Sequence, residues 1–228
     1  QLKQLVKDGV SYATDLGMYV IVDWHILSDG DPNQNKDEAI AFFKEMAETF
    51  TNNDNVLYEI CNEPNGGTSW ESIKAYAEEV MPVIREKRPD AVILVGTPTW
   101  SQEIDKAAES PLEDKNVMYT LHFYAGTHKD DLRNRLESYA QNGLPIFVSE
   151  FGMCDASGNG ANDFESTTKW LDLLNKYQIS FMCWNLANKD ESSSVFRANS
   201  TKISDWTEED LSEAGQWIKA YFKNRSYQ

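Results

Sequence analysis

Short apolar, β-branched runs alternate along this chain with longer stretches that carry apolar residues at helical spacing. Residues 1–16 place Leu2, Leu5, Val6, Gly9, Val10 and Ala13 on a helical stripe that Gly17 ends. The run "MYVIVDW" (18–24) then reads as a strand covered on both faces. The same exchange recurs: a helix over 37–50, "VLYEI" (56–60), and a helix with Ile73, Ala77, Val80, Met81 and Ile84 on one stripe. Pro82 lies inside that helix and is expected to kink it. "AVILV" (91–95) precedes a short helix over 101–109, and "NVMYTLHFY" (116–124) precedes one over 129–141, stopped by Gly143. "PIFVSEF" (145–151), a helix over 162–176, "ISFMCW" (179–184) and a closing helix over 207–223 complete the order. Alternation of this kind demands a parallel sheet with right-handed crossovers. Nothing resembling a linker or a short repeat interrupts it, so one domain over 1–228 is expected.

The polar, aromatic and acidic residues with chemical potential are expected to cluster just after strand ends: His25, Asn62, Glu63, Trp100, His122, Tyr124, Glu150 and Trp184. In a parallel sheet these positions share one rim. A rim of chemistry at the C-terminal ends marks a (β/α) barrel or a doubly wound sheet. No G-x-G-x-x-G or P-loop is present to support nucleotide binding.

Charge narrows the partners. A net charge of −16 repels phosphate backbones and anionic lipid, which disfavours nucleic acid and membrane surfaces and tolerates a neutral substrate. No stretch approaches a membrane span, and the chain opens on Gln1 without a signal segment. Cys61, Cys154 and Cys183 form neither an even disulfide set nor a metal-ligand spacing, and read as small buried hydrophobes.

Two carboxylates stand out. Glu63 in "NEP" and Glu150 in "SEF" are expected to hold equivalent places, each directly following a strand, with two strands between them in the chain. Paired carboxylates facing one cleft suit glycoside hydrolysis, in which one is protonated and the other ionised. Glu59, inside its strand, reads as a structural group instead. Asn-Glu-Pro taken alone is also an ordinary turn. Trp100 and Trp184 fit stacking on the apolar face of a pyranose, with core packing as the alternative. His25 and His122 read either as hydrogen-bonded structural histidines or, with a carboxylate, as zinc ligands; no H-E-x-x-H or H-x-H pair supports the second.

The segments "YVIVDWHILSDGDPN", "VLYEICNEPNG", "VGTPTWSQ", "HFYAGTH", "IFVSEFG" and "WNLANKDESS" closely resemble glycoside hydrolase family 5, in its bacterial endo-β-1,4-glucanase branch. The resemblance covers nearly the whole chain in order. It implies a TIM-type (β/α) barrel, retention of anomeric configuration, β-glucan substrates, no metal or other cofactor, and an extracellular location. It implies that Glu63 is the acid/base and Glu150 the nucleophile. Asn62 matches the amide that binds the 2-hydroxyl of the attacked sugar. His25, His122 and Tyr124 match the hydrogen-bonding shell, with Tyr124 beside the nucleophile. Trp184 matches the platform under the −1 sugar and Trp100 the +1 stacking residue. Lys189 and Glu191 match binders of −2 hydroxyls.

The resemblance also carries a departure. Family members have two further strands before "YVIVDWH", one bearing an arginine that supports the nucleophile. The expectation is therefore a truncated barrel of about six parallel strands, with 18–24 and 179–184 either pairing or left as edges. A homodimer covering the unfinished side follows as a further expectation. Three functions stay open: a retaining endo-β-glucanase, a catalytically weak carbohydrate-binding fragment, and a mannanase or transglycosidase on the same scaffold.

Overall fold

A computed structural model describes residues 1–225. Six strands form one sheet in the order β1-β2-β3-β4-β5-β6: β1 (Val20–Asp23), β2 (Val56–Glu59), β3 (Ile93–Val95), β4 (Val117–Tyr124), β5 (Ile146–Gly152) and β6 (Phe181–Cys183). The order is open, with β1 at one end and β6 at the other. The helices are α1 (Leu2–Asp15), α2 (Lys36–Thr49), α3 (Trp70–Arg85), α4 (Pro98–Ser101), α5 (Ile104–Glu109), α6 (Asp130–Gln141), α7 (Phe164–Lys176) and α8 (Glu213–Asn224). The expected α/β order is present throughout. The helix foreseen over 101–109 is instead the single turn α4 followed by α5, and α3 runs through Pro82 unbroken to Arg85.

The chain forms two compact units. The first comprises Gln1–Leu121 with Tyr139–Phe147, and the second His122–Ser138 with Val148–Gln228. In the first, β1, β2 and β3 pair in parallel, with Asp23 opposite Glu59 and Glu59 opposite Leu94. Its core is built from Phe43 and Met46 of α2, Ile73, Tyr76, Val80 and Ile84 of α3, and Tyr58, Ile93 and Val95 of the sheet, all fully buried. The stripe on α1 is only partly used: Val10 is buried while Leu2 and Leu5 stay exposed.

The second unit rests on an aromatic stack. Phe123 lies parallel to Trp170 of α7 at 4.0 Å and to Phe151 at 5.2 Å between centroids, and the Arg133 guanidinium sits over Trp170. Because side chains alternate along a strand, burying Phe123 on one face turns His122 and Tyr124 together to the other. Strand β5 carries an irregularity. Val148 pairs with Phe181 and Phe151 with Cys183, so three steps along β5 match two along β6. An extra residue of this kind is a β-bulge, which breaks the alternation and re-aims side chains.

Candidate active site

In the first unit the site residues stand beyond the ends of β1, β2 and β3. His25 follows β1 by two residues, and its Nδ1 meets Asp23 Oδ2 at 2.7 Å. Its Nε2 lies 3.4 Å from Asn62 Nδ2. Sequence reasoning missed Asp23, although an aspartate two residues before a histidine on a strand end is a readable sign of an imidazole held by a carboxylate. Asn62 is buried and Glu63 half-buried. Their turn is tied on several sides. Tyr76 donates to Ile60 O at 2.7 Å, Ser101 Oγ to Asn62 O at 2.8 Å, Asn65 Nδ2 to Glu63 O at 2.8 Å and Trp100 N to Pro64 O at 2.9 Å. Glu59, as expected, is buried within β2.

Trp100 is half exposed and reaches its place through an unusual backbone. Thr99, Trp100 and Ser101 have φ of 57°, 55° and 56°. Three successive left-handed residues, none of them glycine, cost about 1–2 kcal/mol each. The surrounding bonds to Asn62 and Pro64 hold them there. Gly96, at the end of β3, gives this turn room: a Cβ there would sit 2.5 Å from Cys61 O and 2.8 Å from Pro64 Cδ.

In the second unit the residues sit within the strands rather than after them, which corrects the expected placement. His122 and Tyr124 belong to β4 and Glu150 to β5, and all three are buried. Tyr124 Oη donates to Glu150 Oε1 at 2.6 Å, and His122 Nε2 lies 2.8 Å from Ser149 Oγ. Ser149 and Glu150 are sequence neighbours, yet both meet the face of β4 that carries His122 and Tyr124. The bulge in β5 explains this, since a regular strand would send them to opposite faces. Ser149 was not foreseen as part of the site. Gly152 leaves space for the Tyr124 ring, which a Cβ at that position would overlap. His128, the third histidine, accepts at Nδ1 from the Tyr124 backbone N–H at 2.8 Å.

Trp184 follows β6 directly. Its N–H donates to Phe151 O at 2.8 Å, and its peptide bond to Asn185 is cis. Lys189 and Glu191 lie further along the same excursion and pair with each other at 3.1 Å. The cysteines are free. Burial pushes the Cys61 thiol far up, Cys183 to about 12 and Cys154 to about 11, so none serves as a thiolate nucleophile near neutrality. Among the described residues no helix is long and apolar enough to cross a membrane.

Comparison with known proteins follows the same lines. Residues 1–190 match the family described as cellulase (glycosyl hydrolase family 5). The chain is 50% identical over 219 residues to endoglucanase A of Butyrivibrio fibrisolvens, covering 96% of this chain and 51% of that protein. It is 48% identical to an endoglucanase of Clostridium saccharobutylicum, covering 95% and 49%. The chain thus spans about half the length of the curated relatives it matches. Among solved structures it is similar to cellulase Cel5C_n, with a TM-score of 0.94 and 44% identity over 98% of this chain and 70% of that one. It is also similar to the catalytic domain of Thermobifida fusca endoglucanase Cel5A in complex with cellotetraose, with a TM-score of 0.93 and 41% identity over 97% and 75%. Nothing in these likenesses supports the expected homodimer. The sheet order, the motif residues and the family match agree: the chain belongs to glycoside hydrolase family 5, with its α/β, TIM-barrel-type architecture.

Proposed function

We propose that this chain carries the catalytic residues of a retaining endo-β-glucanase acting on β-1,4 linkages in cellulose-like or mixed-linkage β-glucan. The observation that carries this reading is the buried Glu150 accepting the Tyr124 hydroxyl at 2.6 Å. A hydroxyl that donates to a carboxyl oxygen stabilises the charged form over the neutral one and fixes its direction. A nucleophilic carboxylate needs both properties.

In the first step Glu63 gives its proton to the glycosidic oxygen as the bond to the anomeric carbon breaks. A Glu150 oxygen bonds that carbon and forms a glycosyl-enzyme. In the second step water attacks the same carbon, Glu63 takes the proton, and Glu150 leaves as carboxylate. Two inversions give net retention, for which the carboxylates of such pairs stand roughly 5–5.5 Å apart. Asn62, His25 and His122 supply hydrogen bonds to sugar hydroxyls. Trp184 and Trp100 offer stacking surfaces on either side of the cleaved bond, and Lys189 and Glu191 bind hydroxyls further along the glycone. Relatives named endoglucanase and the cellotetraose complex of one of them support a β-glucan substrate. A polymeric substrate and the resemblance to this family support action outside the cell.

The test is hydrolysis of carboxymethyl cellulose and of barley-type β-glucan, with mannan as a third substrate, by wild type, Glu63→Gln and Glu150→Gln. Wild type should cleave the two glucans with both variants strongly impaired. Equal activity of all three proteins, binding without turnover by wild type, or cleavage of mannan alone would overturn the assignment.

A further inference from the structure

Between β6 and α8 the chain makes a long excursion that the catalytic scheme uses only at its start, through Trp184, Lys189 and Glu191. Its later part, residues 196–211, carries a second aromatic pair. The Trp206 ring lies 4.7 Å from that of Phe196, inclined by 31°. Trp206 is 45% exposed, an unusual state for the largest apolar side chain in a segment this well fastened.

The fastening is extensive. Phe196 bridges Leu211 in antiparallel fashion, and its N–H donates to Ala187 O at 2.9 Å. Arg197 donates from its backbone to Asp210 O at 2.9 Å and from Nε to Leu211 O at 2.9 Å. Asn188 Nδ2 donates to Ser200 O at 2.9 Å. Thr207 and Asp210 form a reciprocal cap, and Lys202 pairs with Asp210 at 2.6 Å. That pair holds the Asp210 carboxyl down at about 2, so the fastening persists across the neutral and mildly acidic range.

The indole N–H of Trp206 is already committed, donating to Lys202 O at 3.1 Å. What Trp206 offers to solvent is therefore an apolar ring face with no unmet polar demand. Phe196, which backs it, also lines a cavity of about 300 Å³ together with Lys189, Glu191, Asn159 and Arg197. An exposed indole thus packs on a ring that itself lines a cleft of polar and charged side chains. A pyranose presents these same two surfaces, an apolar C–H face and a hydroxyl edge.

We propose that Trp206, supported by Phe196, is an outer sugar platform lying beyond Lys189 and Glu191, and that it makes the site favour longer β-1,4-glucan chains. The inference rests on the endoglucanase reading, since Lys189 and Glu191 acquire their glycone role there. The platform is specific to chain length because a short oligosaccharide that fills the inner positions does not reach it. It therefore contributes binding energy remote from the reacting bond.

The experiment compares wild type, Trp206→Ala and Trp206→Phe on cellotetraose and cellohexaose, with thermal melting of each protein. Trp206→Ala should lower the ratio of kcat/KM for cellohexaose over cellotetraose about tenfold, mainly through KM, and Trp206→Phe should restore much of that ratio. An unchanged ratio, or equal losses on both substrates, would overturn the platform. If Trp206→Ala melts much earlier than wild type, Trp206→Leu, which keeps apolar bulk without an aromatic face, decides: an unchanged ratio assigns the ring to loop packing alone, and a lowered ratio retains the platform. If wild type hydrolyses neither oligosaccharide, the endoglucanase reading has failed, and the platform is judged by calorimetry with cellohexaose. Weaker binding by Trp206→Ala retains the platform, and equal binding removes it.

Discussion

Glu63 and Glu150 are set in their respective units by opposite means. Glu63 stands four residues past the end of β2, half-buried, on a turn whose carbonyls are tied to Ser101, Trp100 and Asn65. Its backbone is braced while its side chain keeps solvent access. Glu150 lies inside β5, buried, and is held through the side chain itself by the Tyr124 hydroxyl. The contrast suits the proposed division of labour. A group that gives and takes a proton must exchange it with water, so solvent access at the carboxyl is useful. A group that bonds carbon needs a fixed direction and no proton. Each unit also spends a glycine on its glutamate: Gly96 behind the Glu63 turn, and Gly152 beneath the ring that holds Glu150.

The largest expected effect separates the two roles directly. Glu63→Gln should lower kcat/KM on cello-oligosaccharides by about 10²–10⁴. On an aryl cellobioside whose phenolate leaves without protonation, much of that loss should disappear for formation of the glycosyl-enzyme. Glu150→Gln should lose at least as much on both substrates, because no leaving group replaces the nucleophile. Equal rescue of both variants by the activated substrate would erase the distinction.

Removing the brace on Glu150 comes next. Tyr124→Phe deletes one hydrogen bond to a buried carboxyl, worth about 1.5–3 kcal/mol, and should reduce kcat roughly tenfold or more while lowering the melting point by several degrees. Activity equal to wild type would mean that the 2.6 Å contact has no part in the reaction. The glycines sharpen the comparison further. Gly96→Ala meets backbone carbonyls that cannot yield, whereas Gly152→Ala meets a side-chain ring. Overpacking costs about 1–3 kcal/mol, so both should melt earlier, Gly96→Ala by more. Gly152→Ala should lose activity in proportion to the displacement of Tyr124, and adding Tyr124→Phe should then cost little more. Additive losses in the double variant would break the proposed link.

The smallest effect is a control remote from both glutamates. Arg85 grips Asp114 with two hydrogen bonds, at 2.7 and 2.9 Å, and holds its carboxyl below the usual value. A lowered carboxyl stabilises the fold above the ordinary carboxylate pKa, and that contribution fades as pH falls through the lowered value. Asp114→Asn should therefore lower the melting point near neutrality by about 1–3 °C, with a deficit that shrinks in acid and with activity preserved. A deficit independent of pH would assign the effect to packing.

The periodicity made the fold legible. The β-branched runs around Val22, Tyr58, Ile93, Val148 and Phe181 are the strands, and the stripes through Phe43 and Ile84 face the core. The residues of the proposed site were legible from type and position. Their supports were less so, for physical reasons. Thr99, Trp100 and Ser101 adopt left-handed backbone that their side chains disfavour, so no local preference announces it. The bulge that turns Ser149 and Glu150 to a common face arises from the pairing of β5 with β6, which no residue of "SEF" encodes alone. Gly96 and Gly152 matter through neighbours distant in sequence.

The most direct test of the division of labour is covalent trapping on the full chain. A 2-deoxy-2-fluoro cellobioside with a good leaving group forms a glycosyl-enzyme readily and releases it slowly, so the attacking residue stays labelled for mass spectrometry of its peptide. One added 2-fluorocellobiosyl group is expected on the peptide containing Glu150, with Glu63 unlabelled. A label on Glu63, or an unlabelled protein that hydrolyses natural substrate with inverted product, would contradict it.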